Sequence, residues 1–150
     1  MANTTAEYGA YRKVNVETAS QGKLVVMLFN GAIQRAEEAK RQLSRGKTEG
    51  VHNNLLRAQD IIAELRGALN MNSGGDLARN LDRVYEYFQH LLIKANIRKE
   101  VAPLDEAVEH LTAMRDTWQQ AFDKLTREEA PVATKAQINQ HGAGIINVQG

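Results

Sequence analysis

Apolar residues recur every three or four positions in four long runs of this chain, and short polar or glycine-containing stretches separate the runs. That period marks amphipathic helices. The first run predicts a helix from about Ser20 to Arg45, with Leu24, Leu28, Ala32, Ala36, Ala39 and Leu43 on one stripe. Thr18 and Gln21 have capping-box spacing, with Ser20 a competing N-cap, and Gly46 suits the C-terminal end. A second helix is predicted from about Thr48 to Met71. There Val51, Leu55, Ala58, Ile62, Leu65 and Leu69 alternate steps of four and three in a heptad seam. Gly74 and Gly75 allow the reversal that follows. The third helix is expected to start near Asp76 as N-cap and to carry the seam Leu77, Leu81, Val84, Phe88, Leu91 and Ala95 to about Arg98. Pro103 fits the first turn of a fourth helix, which continues through Leu104, Val108, Leu111, Met114, Trp118, Ala121/Phe122 and Leu125 to about Arg127.

Four helices with short connections predict an all-α, antiparallel up-down four-helix bundle over residues 20–128. Ahead of it, Tyr8, Tyr11, Val14 and Val16 are spaced by two or three residues. That spacing suggests an extended N-terminal arm over 1–19 that lays side chains on the bundle. Such an arm either completes the core permanently or covers a groove from which a partner segment displaces it. After Glu129 the periodicity stops, which predicts a flexible, polar, glycine-containing C-terminal tail over 129–150. The tail ends in Ile145-Ile146-Asn147-Val148, a cluster with no role in the bundle pattern.

Composition narrows the function. Nineteen Lys+Arg against eighteen Asp+Glu leave a net charge of +1, without the basic stripe of a nucleic-acid binder. The apolar runs are too short to cross a bilayer, and residues 1–7 lack the pattern of a signal peptide. With no cysteine there is no thiolate chemistry, and the expected compartment is cytoplasmic. A helical bundle can house a di-metal centre, but that needs Glu-x-x-His pairs. Glu86/His90 and Glu106/His110 are spaced i, i+4 beside the seams and read as solvated surface pairs. Gly46-Lys47-Thr48 resembles the end of a phosphate loop, yet Arg41 stands where the first glycine is required. Trp118 lies on a seam and reads as core. No enzyme activity, metal or cofactor is expected.

Binding is better supported. Val26, Phe29 and Ile33 form a second stripe beside the first-helix seam, which either broadens the core or meets a partner. Ile93 and Ile97 face nearly opposite Leu91 and Ala95, and Leu56 lies off the second seam. Isolated surface apolars are common. A group of them at helical spacing also fits a docking face.

Several ordered stretches resemble a known family. Tyr8-Gly9-Ala10-Tyr11, Val14-Asn15-Val16-Glu17-Thr18-Ala19-Ser20 and Gly22-Lys23-Leu24-Val25-Val26-Met27-Leu28-Phe29-Asn30-Gly31-Ala32 look like the opening of the flagellar secretion chaperone family, FliS. Gly74-Gly75-Asp76-Leu77-Ala78-Arg79-Asn80-Leu81, Val84-Tyr85-Glu86-Tyr87-Phe88 and Leu91-Leu92-Ile93-Lys94-Ala95-Asn96-Ile97-Arg98 are similar to its central signatures. The resemblance runs from about Tyr8 to Phe122. It implies a cytosolic, non-enzymatic bundle that binds the disordered C-terminal segment of flagellin, prevents premature polymerisation and assists delivery to the flagellar export gate. By the same resemblance Tyr11 is tied to substrate engagement. Leu24, Met27, Leu28, Phe29 and Gly31 match the first-helix motif, and Tyr85, Tyr87 and Asn96 the third-helix motif. Asn30 stands where the family usually has Asp, which removes a charge, and the tail is longer than expected. The flagellin-binding set expected from pattern and resemblance together is Tyr8, Tyr11, Val14, Val16, Met27, Phe29, Asn30, Ile33, Leu56, Tyr85, Ile93, Asn96 and Ile97. Two further readings remain open: a module that binds an anti-sigma factor or other flagellar regulator, and a structural bundle that self-associates through Val26/Phe29/Ile33 as a weak homodimer rather than a monomer.

Overall fold

In the computed structural model the backbone of residues 2–128 and the side chains of residues 21–127 are described. Four helices follow one another: α1 (Ala2–Ser44), α2 (Thr48–Gly67), α3 (Gly75–Arg98) and α4 (Val101–Glu128). α1 packs on α2 and α4, and α3 packs on the same two. The short connections reverse direction each time, so the four form the antiparallel ring that the periodicity predicts.

Local chemistry explains the ends. Gly46 takes φ +68. Its N–H donates to Leu43 O (3.1 Å) and that of Lys47 to Gln42 O (2.9 Å), the paired bonds of a Schellman motif. At the end of α3 a non-glycine residue does this work. Lys99 is left-handed, φ 52 and ψ 45, and its Nζ donates to Asn96 O (2.6 Å) and Oδ1 (2.5 Å). Those bonds offset the steric cost of the left-handed region.

Several expected boundaries shift. α1 does not start at Ser20 but runs through the stretch expected to be an extended arm. That stretch holds no proline and a single glycine, Gly9, so nothing in its backbone chemistry stops a helix. The side chains of Tyr8, Tyr11, Val14 and Val16 lie outside the described residues, as does the tail from 129. α2 ends at Gly67 rather than Met71, and Asn70 Oδ1 turns the chain by accepting the Ser73 N–H at 3.2 Å. α3 starts one residue before Asp76, after Gly74. Asp76 sits in the first turn, where a carboxylate favours the helix dipole. Pro103 is the third residue of α4, still within the turn whose N–H groups need no intrahelical partner.

The core tests each seam separately. Of the second seam, Val51, Leu55, Ala58, Ile62 and Leu65 are buried on α2, and Leu69 is buried just past its end. On α1, Ala32, Ala36 and Ala39 are buried as expected, but nearer the start of the bundle Val25 and Phe29 take the fully buried places, while Leu28 packs part-buried against the core and Leu24 is left exposed. Leu24 is 44% exposed and Phe29 0%. On α3, Phe88, Leu91 and Ala95 hold, whereas Leu77 and Val84 are exposed and Ala78 and Tyr85 take their places. An aromatic cluster accounts for both shifts. Phe29 meets Tyr85 edge-on with centroids 5.8 Å apart, and Tyr85 meets Phe88 at 6.1 Å. Rings this large fill the space between α1 and α3 better than the leucines of the neighbouring stripe. Trp118 packs half-buried against this core. Its Nε1–H donates to Tyr85 Oη at 2.9 Å, which gives each buried polar group a partner. Tyr85 apart, no side chain that carries a polar or charged group is fully buried among the described residues.

Candidate partner-binding surface

The contact between α2 and α3 keeps a strict register. Arg66 Nε and Nη2 donate to Asp82 Oδ1 (2.8 Å) and Oδ2 (3.2 Å), and Arg66 Nη1 to Gln89 Oε1 (2.8 Å). Gln89 Nε2 donates to Gln59 O at 3.2 Å, and Asn96 Nδ2 lies 2.9 Å from His52 Nδ1. Each step of seven residues along α2 thus meets a step of seven back along α3. The Arg66 guanidinium beside Asp82 holds that carboxyl below the usual carboxylate range.

This register places Leu56 level with Leu92 and Ile93. Leu56 and Ile93 are each 42% exposed, and Ile97, one turn further on, is 78% exposed. A shallow depression of about 320 Å³ on α3 is lined by His90, Ile93, Lys94, Ile97 and Arg98. The outcome is an apolar band with the Arg66–Asp82 pair towards one end and the His52–Asn96 pair beside Ile97. An i, i+4 pair with a third residue on the adjacent helix matches the anchor spacing by which grooves hold amphipathic helices.

The other expected residues do not join this band. Phe29 and Tyr85 belong to the core, because the aromatic cluster needs them there. Burial also pushes the Tyr85 hydroxyl up to about 12. Ile33 packs against the core at the surface of α1. Phe29 and Ile33 of that stripe therefore broaden the core, Val26 is part-exposed, and the burial of Phe29 leaves it no face for self-association. Met27 is 66% exposed on α1, away from the α2/α3 contact. Asn30 Oδ1 accepts from Arg115 Nη1 of α4 at 3.1 Å, a neutral acceptor for a guanidinium. Asn96 is held by His52 and Lys99 as described above.

A second feature went unread in the sequence. Between α3 and α4 lies an open groove of about 450 Å³ lined by Arg83, Val84, Tyr87, Phe88, His110, Ala113, Met114 and Thr117. His110 stacks on Phe88 with planes 12° apart and centroids at 6.0 Å, so it is not the solvated partner of Glu106. Tyr87 Oη instead donates to Glu106 Oε2 at 3.0 Å, and this bond is the main reason its hydroxyl is held above its ordinary value. Glu86 and His90 do lie exposed. Among the described residues no cluster of three or more His, Asp or Glu side chains could hold a metal ion. Among the same residues no helix is long and apolar enough to cross a membrane.

Comparison with known proteins decides the family. The family described as "Flagellar protein FliS" matches residues 3–125. The chain belongs to the FliS family. Its relatives include a flagellar secretion chaperone FliS from Vibrio cholerae, 36% identical over 130 residues that cover 82% of this chain and 96% of the relative. A Bacillus subtilis protein of the same name is 35% identical over 139 residues, 93% of this chain and 95% of the relative. A third, from Salmonella typhimurium, is 30% identical over 132 residues, 85% and 98% respectively. The FliS match, residues 3–125, runs through all four helices.

Proposed function

We propose that this chain is a cytosolic flagellar export chaperone that binds the disordered C-terminal segment of flagellin, prevents premature polymerisation and hands the subunit to the flagellar export gate. The observation that carries the reading is the band Leu56, Ile93 and Ile97. These are large apolar side chains that the core does not use, set on a contact made rigid by the Arg66–Asp82–Gln89 network. A segment that folds as an amphipathic helix against this band covers its own apolar face and so cannot self-associate through it. Ordering entropy keeps the complex releasable. Tyr11 on the N-terminal stretch contributes to substrate engagement in this reading, and the work needs no catalytic group or cofactor.

Calorimetric titration with a synthetic flagellin C-terminal segment tests it. One-to-one binding is expected, weakened about tenfold or more in Ile93→Ser or Tyr11→Ala, roughly 1.4 kcal/mol, with the melting temperature unchanged. A folded protein that does not bind the segment at all overturns the reading. Binding that persists while a flagellar regulator is bound at the same time would place the regulator on another surface.

A further inference from the structure

We infer that the chain's own C-terminal cluster, Ile145-Ile146-Asn147-Val148, seats in the groove between α3 and α4. The groove is apolar along Val84, Phe88, Ala113 and Met114, with Tyr87 and His110 at its edge, and the ring interior does not need the exposed faces of Val84 and Tyr87. Leu77 is half exposed seven residues before Val84, so both lie on one line of α3. In the antiparallel pairing of α3 with α4, the start of α3 lies beside the end of α4. The line therefore runs from where α4 ends, at Glu128, down into the groove.

Chain length permits the return. From Glu128 back to Thr117 is about 17 Å of helix, whereas residues 129–144 span up to roughly 50 Å when extended. Three branched aliphatic side chains stand together in Ile145, Ile146 and Val148, and the stretch before them is polar and carries Gly142 and Gly144. The open groove of about 450 Å³ has room for a few such side chains. A segment on a tether of this length meets its site at an effective concentration on the order of millimolar, so even a weak apolar contact is occupied in cis. It is also readily displaced by a tighter occupant. The inference stands whether or not flagellin is the partner.

The absence of cysteine makes the test clean, because Gln149→Cys provides a single site for a nitroxide spin label on the full chain. The expected result is paramagnetic broadening of Val84, Tyr87, Met114 and Thr117 signals, sparing Leu56, Ile93 and Ile97, and lost when Ile145→Ser and Ile146→Ser are added. Both serine substitutions lie outside the bundle, so unchanged signals from Leu55 and Ile62 report that it stays folded. Broadening that is absent, or centred on another face, overturns the inference. So does the same broadening on isotope-labelled, spin-free chains mixed with spin-labelled chains that carry no isotope label, since the occupant would then be a second copy.

Discussion

α2 and α3 carry the same heptad rhythm and pack side by side, yet they bury it differently. Every seam residue within α2 is in the core, while α3 exposes Leu77 and Val84 and buries Ala78 and Tyr85 instead. α2 has few apolar residues to spare, so its stripe admits one orientation. α3 has apolar side chains on two adjacent stripes, and α1 shares this breadth. Where two stripes compete, the one that joins the largest well-packed cluster wins, here Phe29, Tyr85 and Phe88. The losing stripe becomes exposed apolar surface, which is the raw material of a docking face.

Truncations on α1 break this comparison most sharply. Phe29→Ala should cost about 3–5 kcal/mol in urea denaturation, and Leu24→Ala less than about 1 kcal/mol because Leu24 is nearly half exposed. Equal losses would mean that the leucine stripe faces the core after all. The next effect belongs to Tyr85. Its hydroxyl titrates at about 12 in the folded chain against about 10 when unfolded. Its contribution is therefore complete below pH 10 and lost as pH rises towards 12, on the order of 2–3 kcal/mol. Alkaline denaturation followed in parallel with Tyr85→Phe should show that part of the pH slope disappear.

Gly22→Ala probes how closely α1 and α4 approach. A methyl group there would stand 2.7–2.8 Å from the Phe122 ring, which itself stacks on Trp118. The ring would have to move, at a cost of about 1–3 kcal/mol, visible as a lower melting temperature and altered Trp118 fluorescence. The smallest effect is expected for the α2/α3 register. Asp82→Asn should cost at most about 1 kcal/mol at neutral pH, since the pair is partly exposed. Because the folded carboxyl titrates below its unfolded value, that contribution is present above about pH 4 and lost as pH falls below it. The acid limb of the stability curve should flatten accordingly in the variant.

The candidate surface was legible only in part. Leu56, Ile93 and Ile97 are off the seams of narrow stripes, and periodicity alone marks them as surface. Phe29 and Tyr85 belong to a family motif, but a motif does not say whether a residue touches a partner or holds the core. The groove at Tyr87, His110 and Met114 left no mark, because it needs two helices in a known rotation. Periodicity places Val84 and Met114 on seams, and spacing places His110 in a surface pair.

Periodicity and turn chemistry were enough to establish four helices, their order and an antiparallel ring, and the resemblance of the ordered motifs pointed to a chaperone family. Each of these depends on contacts within a few residues along the chain or on the ordered motifs themselves. The rotation of α1 and α3 about their own axes was settled by packing. A turn of about 100° per residue separates Leu24 from Val25 and Val84 from Tyr85. The energy that chooses between them comes from rings more than fifty residues apart in sequence meeting within about 6 Å. No local pattern carries that information, so the core and the exposed faces are fixed together only when the helices meet.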